Sequence, residues 1–588
     1  MSRVLSDSQE KTVLTPILDR YRLTRLVCWS VCIGFALLEV WSGLQYPDSD
    51  GISYLDMSDA LLKHNWHLLI NACWSPLYPF LIGLATWIVH PSGYWEFPLV
   101  HVVNFAIFLG ALVSFEFLLH QVICVYGQEN GRRDADSALS LQVWKWQLLG
   151  YSIFAWGSFV LIDGLRRVNP DLCVAMFVYL DAGLLLKLRT GTKRSRTCLL
   201  LGLTLGFGYL AKAILFPMAF VFMAVAFFMV GKWRKAVPLL AMTLVLFSAI
   251  AAPLCIGISQ MVGRPSFGES GSLNYAWNIN GKPWLPFYSS VPPPYLKHPM
   301  DLLIRHPDIF GFGGPFASTY PLWDDPVYWN TGVSAAFTQR GQPRLIGRNL
   351  AVLFAGRDMV PIYILEGGLI LINWDAPRRF KHIVRGWPLL VPGVVALCLF
   401  ALVHLLPRYI GSFVVLAFLG LIAGITFQNS RDTEKRSAIV TMVIAASVLV
   451  FTALFIVVHL TVTSPILREQ GKARYQAAES LNSDGLRPGS AVGIIGSGWD
   501  AMFWARLARV RIVAQIPPED ADDFWRASDP RVKAEAYDAF ARAGAIAVVT
   551  EETPPSSGFA DWQRVGDTRY YVHFLALSRN KLVGSPTL

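Results

Sequence analysis

The side chains of this chain best placed for chemistry are charged residues set against long apolar runs. They are Asp48 and Asp50 in DSDGISYLDMSDAL, Asp171 in NPD, Lys212 in GYLAKAILFP, and Arg408 followed by Tyr409. Ionisable groups at membrane depth are costly to desolvate and mark functional sites by default. Two cations at headgroup depth suit a lipid phosphate, and a carboxylate beside them suits activation of a nucleophile. Each group also has a structural reading. Asp50 can cap the helix that follows, or, with a pKa raised at the rim of a lipid-facing cavity, take a proton from an acceptor. Asn169-Pro170 is a good helix start, and Lys212 or Arg408 can snorkel to anchor a span. Local sequence leaves both readings open, so placement has to decide.

The elements that place them are membrane spans. Hydrophobic residues make up 54% of the chain and charged residues 16%, and apolar runs of spanning length recur along most of it, which makes it an integral membrane protein. The net charge of +10 collects in short loops between spans and does not call for nucleic acid. Of the eight cysteines only Cys73 sits clearly in a loop; with no CxxC pair, the thiols read as packing residues. Arg20, Arg22 and Arg25 flank the start of an uncleaved first span, about 23–44, and put the N-terminus inside. The acidic stretch after it is therefore outside. From Gly51 its pattern is helical, with Ile52, Leu55, Ala60, Leu61 and Leu62 on one face and Tyr54, Ser58 and Lys63 elsewhere, as for a helix lying flat on the bilayer.

Charge parity settles the next step. If 76–90 crossed the membrane, GRRD, KLRTGTKRSR and GKWRK would all lie outside. If that segment is juxtamembrane, all three fall inside, as basic loops prefer. Seven spans then precede a large external loop, 259–358, rich in Gly, Pro, Trp and Tyr. A loop of that length is usually functional, though its residues also fit a cap of turns and stacked aromatics. Four more spans bring the count to eleven and leave residues 463–588 outside, where VGIIG, RIVAQI and AIAVVT alternate with helices as in a small α/β domain. Its GIIGSGW is a poor dinucleotide fingerprint and implies no nucleotide. Asp171, Lys212 and Arg408 all come to the outer side with Asp50.

The order of these features resembles the GT-C fold of polyprenyl-phosphate-dependent glycosyltransferases, above all the family containing protein O-mannosyltransferases and the lipid A aminoarabinose transferase. The likeness rests on DSDGISYLDMSDAL in the first external loop, SPLYPFLIGL, NPD opening an outer-facing span, GLTLGFGYLAK, and the large loop after seven spans. It covers about residues 20–460 and does not extend to the tail. It implies a polytopic α-helical membrane protein, GT-C-like, with about eleven transmembrane helices, to which the alternating strands and helices of the tail add a C-terminal α/β soluble domain. The division is a cytoplasmic segment 1–22, a transmembrane domain 23–462 with external loops 45–96 and 259–358, and the external domain 463–588.

The same resemblance implies transfer of a sugar from a polyprenyl-phosphate donor to a glycan, lipid or protein acceptor, outside the bacterial cytoplasmic (inner) membrane. Asp50 matches the catalytic aspartate of the first loop, Lys212 a lysine near the donor phosphate, and Asp171 the acid opening the fourth span. Arg408, Tyr409, Tyr54 and Tyr78 join them as substrate-binding residues. Many relatives carry Asp-Glu or a second acid later in this loop; here the acids are Asp48 and Asp50, followed by an acid-free run from Lys63 to Tyr94, so either aspartate can be the catalytic one. A phosphate leaving group demands no metal, and relatives differ on whether a divalent ion is used. A transporter or flippase would show repeat symmetry and a polar path at the midplane, whereas these groups gather at one face. A glycan polymerase or ligase of another fold is the nearest enzymatic rival. A non-enzymatic assembly protein would not need the acids and cations together.

Overall fold

The computed structural model describes residues 2–127, 141–189, 191, 193–281, 284–285, 287, 300–333, 336–372, 384–424, 431–551, 554 and 561–575. Most of the basic loops GQENGRRDAD and DAPRRFKHIVRGW lie outside the described residues.

Before the large loop the chain forms α1 (Ser2–Gly43), α2 (Ser49–Leu62), α3 (Leu77–Val89), α4 (Glu96–Tyr126), α5 (Val143–Trp156), α6 (Asp171–Arg189), α7 (Arg194–Ala211), α8 (Leu215–Val230) and α9 (Trp233–Val262). α5 continues as a π-helical segment, Gly157–Ile162. The loop holds α10 (Ser270–Asn280), β1 (Asp301–Ile304), β2 (Ile309–Gly311), α11 (Pro321–Asp324), α12 (Pro326–Trp329) and α13 (Gly341–Ala355). Then come α14 (Val360–Ile372), α15 (Trp387–Val403), α16 (Pro407–Ala423) and α17 (Arg431–Val458). The tail runs α18 (Ser464–Ser483), β3 (Ala491–Ile495), α19 (Gly498–Leu507), β4 (Arg511–Ile516), α20 (Pro518–Arg526), α21 (Pro530–Arg542), β5 (Ala547–Thr550), β6 (Gln563–Arg564) and β7 (Tyr571–Phe574).

Over its described residues, each apolar run read as a span is mainly helical, because lipid leaves backbone groups no partner but their own helix. Among the described residues, five helices are long and apolar enough to cross a membrane: Arg22–Gly43, Gly93–Tyr126, Trp233–Val262, Val384–Val403 and the helix beginning at Glu434. α4 packs along α6, α7 along α9, and α15 along α16. Apolar side chains such as Phe228, Val245 and Val450 point outward, as suits a bundle in lipid. α3 has 13 residues. At about 1.5 Å per residue it reaches roughly 20 Å, short of the ~30 Å hydrocarbon core.

The tail's sheet reaches back into the large loop. Its strand order is β1-β2-β4-β3-β5-β7-β6. β3 pairs in parallel with β4 and with β5, and β2 joins β4 antiparallel through Phe310–Gln515 and Gly311–Ala514. The hairpin of loop strands thus completes one edge of the tail's sheet. One small core lies among Ile309, Ile516, Phe524, Phe540 and Val548. Trp504, Met502 and Leu507 of α19 instead belong to the apolar core that runs through the membrane helices.

That docking corrects the expectation for α2. The helix does not lie on lipid with Tyr54 and Ser58 toward water: both are buried, and α2 packs against α3, α11 and α19. Its remaining acids face the tail, where Arg506 holds Asp56 at 2.8 Å, Asp59 at 2.8 Å and Glu96 at 2.6 Å. A carboxylate-rich face can be buried only against cations, and the tail supplies them.

Candidate active site

Two short elements open the site. Asp48 is the residue preceding α2 and accepts a hydrogen bond from the Ser49 N–H at 2.8 Å. Asp50 stands in the first turn, so capping and the candidate base fall to different residues. Arg408, at the start of α16, donates to Asp50 Oδ2 at 2.8 Å. The Trp323 indole N–H from α11 points to Asp50 Oδ1 at 3.4 Å. Asp171 opens α6, where the Asn169 side-chain oxygen accepts the Asp171 backbone N–H at 3.1 Å. Lys212, just beyond the end of α7, is ion-paired with Asp171.

Tyr409 joins the two pairs. Lys212 Nζ lies 3.9 Å from its ring centroid and the Arg408 guanidinium 5.1 Å. The first loop, NPD, the end of α7 and the start of α16 therefore meet around one aromatic ring, although Lys212 and Arg408 are far apart in sequence. Tyr54 and Tyr78 lie beneath this surface: both are buried, edge to face with one another, and the Tyr78 hydroxyl donates to Asn104 at 2.6 Å. They brace the floor of the site.

Sequence reasoning missed two arginines. Arg167 reaches Asp48 at 3.1 Å and Asp163 at 2.9 Å, and Arg166 shares Asp163 at 2.5 Å. Their signal was present: the topology expected from the sequence puts the paired arginines of GLRRVNPD on the outer side, against the usual placement of basic residues. Asp48, Asp50, Asp163 and Asp171 thus face Arg166, Arg167, Lys212 and Arg408. Burial first, and then the Asp50 charge, raise the Asp48 carboxyl above the ordinary carboxylate range.

Two buried atoms at NPD have no hydrogen-bond partner among the described residues, Asn169 Nδ2 and Asp171 Oδ2. Buried polar groups are rarely left so. One donor and one acceptor beside a lysine can take a polar ligand. Glu39, Asp163 and His459 also bring a ligand atom each within 4.8 Å of one another. There the Asp163 oxygens are already held by Arg166 and Arg167, which a metal ion would have to displace.

No protein-family model and no curated protein matches the chain. Solved structures do. The chain is similar to ArnT from Cupriavidus metallidurans, in the apo state and bound to undecaprenyl phosphate, at 12% identity over 95% of this chain and 99% of that one, with a TM-score of 0.47. It is also similar to the oligosaccharyltransferase AglB from Archaeoglobus fulgidus in complex with an inhibitory peptide and a dolichol-phosphate, at 14% identity over 89% of this chain and 69% of that one, with a TM-score of 0.46. Both neighbours have the GT-C fold.

Proposed function

We propose that this protein transfers a sugar from a polyprenyl-phosphate donor to an acceptor on the outer side of the cytoplasmic membrane. The observation that carries the reading is the pairing of Asp50 with Arg408 and of Asp171 with Lys212 around Tyr409. It unites two carboxylates, two cations and an aromatic wall at the ends of apolar helices. With the N-terminus inside, that end is the outer one.

In the reaction, the acceptor oxygen attacks the anomeric carbon as the bond from that carbon to the phosphate oxygen breaks. The electron pair leaves with the lipid phosphate, where Lys212 and Arg408 stabilise the growing charge. The acceptor proton passes to Asp50, and Asp48 is the second carboxylate within the same charged network. Attack from the face opposite the leaving phosphate inverts the anomeric centre. A groove of about 740 Å³ between α8 and α15, lined by Phe220, Phe228, Trp387 and Val391, suits an isoprenoid chain.

The test is undecaprenyl phosphate binding by the purified protein and by Lys212→Ala. A charged hydrogen bond is worth about 1.5–3 kcal/mol, so the variant should bind about tenfold to a hundredfold more weakly. Equal affinity in the two proteins would leave Lys212 as a membrane anchor and overturn the assignment.

A further inference from the structure

Five tryptophans from four stretches of chain converge above Asp50: Trp74, Trp277, Trp284, Trp323 and Trp499. Trp323 is the hub. Its indole N–H points to Asp50, and its ring meets Trp499 of the tail with centroids 4.5 Å apart and stacks on Trp277 at 6.2 Å. Its backbone oxygen accepts from Ser53 at 2.7 Å and from the Trp74 indole at 3.2 Å, so the hub is fixed to the floor of the site. Trp284 closes the array outward, 6.3 Å from Trp499 and 6.5 Å from Trp277.

Two features of this array are unusual for a packing cluster. Trp284 is 59% exposed although it stands in ring contact with two other tryptophans. The Trp277 indole nitrogen is buried and has no hydrogen-bond partner among the described residues, so a donor is held ready where nothing accepts it. Trp499 itself stands in the first turn of α19, directly after the Gly496–Gly498 turn at the carboxyl end of β3. β3 has parallel neighbours on both sides, which makes this edge the usual ligand crevice of an α/β sheet. Here that crevice opens onto the membrane site.

We propose that Trp284 and Trp499, with the Trp277 indole N–H, form the acceptor subsite, and that the acceptor is a saccharide. The proposal rests on the sugar-transfer reading above. A pyranose presents one flat C–H face and a rim of hydroxyls. Indole faces, negative at their centres, attract the former. The Trp277 indole N–H and the Asp50 carboxylate serve the latter. A ring lying on Trp499 has one indole, Trp323, between it and Asp50, so the next sugar unit of the same saccharide, beyond Trp323, is the one whose hydroxyl loses its proton to that carboxylate as the new glycosidic bond forms. The tail thereby contributes acceptor choice.

The full-length protein in lipid nanodiscs is titrated with mannotetraose, maltotetraose and chitotetraose, following tryptophan fluorescence, and separately with undecaprenyl phosphate. At least one oligosaccharide should bind. Trp284→Ala and Trp499→Ala should each weaken it about tenfold or more, Trp499→Phe should restore part of the loss, and undecaprenyl phosphate should bind all variants as it binds the unaltered protein. Trp284 is exposed, so its truncation leaves the fold in place even if Trp499→Ala does not. If none of the oligosaccharides binds, or both alanine variants bind them normally, the saccharide subsite is overturned while intact undecaprenyl phosphate binding preserves the sugar-transfer reading. Absence of undecaprenyl phosphate binding in the unaltered protein overturns that parent reading instead.

Discussion

Replacing Arg506 with alanine removes the more deeply buried of two guanidinium groups that join the tail to the acids of α2 and α4. Arg506 is 2% exposed and meets Asp56, Asp59 and Glu96, while Arg509, 34% exposed, also reaches Asp59 at 3.2 Å and Glu96 at 2.9 Å. Burial works to raise the Asp59 carboxyl, but Arg506 and then Arg509 outweigh it and hold it below its usual value. Removing one partner of a buried pair costs about 3–5 kcal/mol, because the other charge is stranded. Arg509 and the Thr319 hydrogen bonds to Asp56 remain, so the lower end of that range applies here. Docking of the tail should weaken by roughly a hundredfold. Hydrogen exchange on the purified protein should show faster exchange in both α2 and α19, with the distant pair α7 and α9 unchanged. Turnover should fall, since α2 also carries Asp50. Adding Glu96→Gln and Asp59→Asn should recover part of the protection by removing the stranded charges. Unchanged exchange in α2 and α19 of Arg506→Ala would refute the clamp.

The Asp325 carboxyl, pushed up to about 6 by burial, accepts N–H bonds from Val327 and Tyr328 at 3.0 and 3.3 Å. Its folded state holds the proton more tightly than the unfolded chain, so its contribution to stability falls as pH rises from about 4 to 6 and stays low above. Asp325→Asn keeps an acceptor oxygen and should raise the thermal midpoint at pH 7.5, by roughly 1–3 kcal/mol of stability, with the gain gone at pH 4; no gain at pH 7.5 contradicts this. Gly498→Ala places a methyl against the Tyr320 ring, whose hydroxyl bonds Gln515, and should cost about 1–3 kcal/mol in a thermal-shift assay. Arg408→Lys keeps the charge but not the planar guanidinium. It should bind undecaprenyl phosphate about tenfold or more weakly with an unchanged melting temperature, and full retention of affinity would reduce Arg408 to a point charge.

The apolar helices and the charges at their ends were legible because a charge inside an apolar run is conspicuous: Asp171 and Lys212 stand out in NPD and GYLAK without any partner being known. Their mutual pairing was not legible, since it depends on α6 and α7 meeting at one end. Strands β1 and β2 are four and three residues long and broken by HP, too short to register as a pattern. Arg506, in WARLARV, looks like an exposed residue of an amphipathic helix; only the fold brings it to acids more than 400 positions away. The burial of α2 was missed for the same reason, because a helix with one apolar face and four acids in or beside it reads the same on a bilayer as against a basic partner domain.

The central claim is that Asp50 serves sugar transfer from a lipid phosphate. Its most direct test is mass spectrometry of lipid-linked sugars and envelope glycans in cells carrying either the unaltered protein or Asp50→Asn as their only copy. Loss of a general base costs about a hundredfold or more in rate. The expected result with Asp50→Asn is accumulation of a polyprenyl-phosphate sugar and loss of one sugar from a glycan, with the protein present at its normal level. Unchanged lipid-linked sugars and unchanged glycans would contradict the claim.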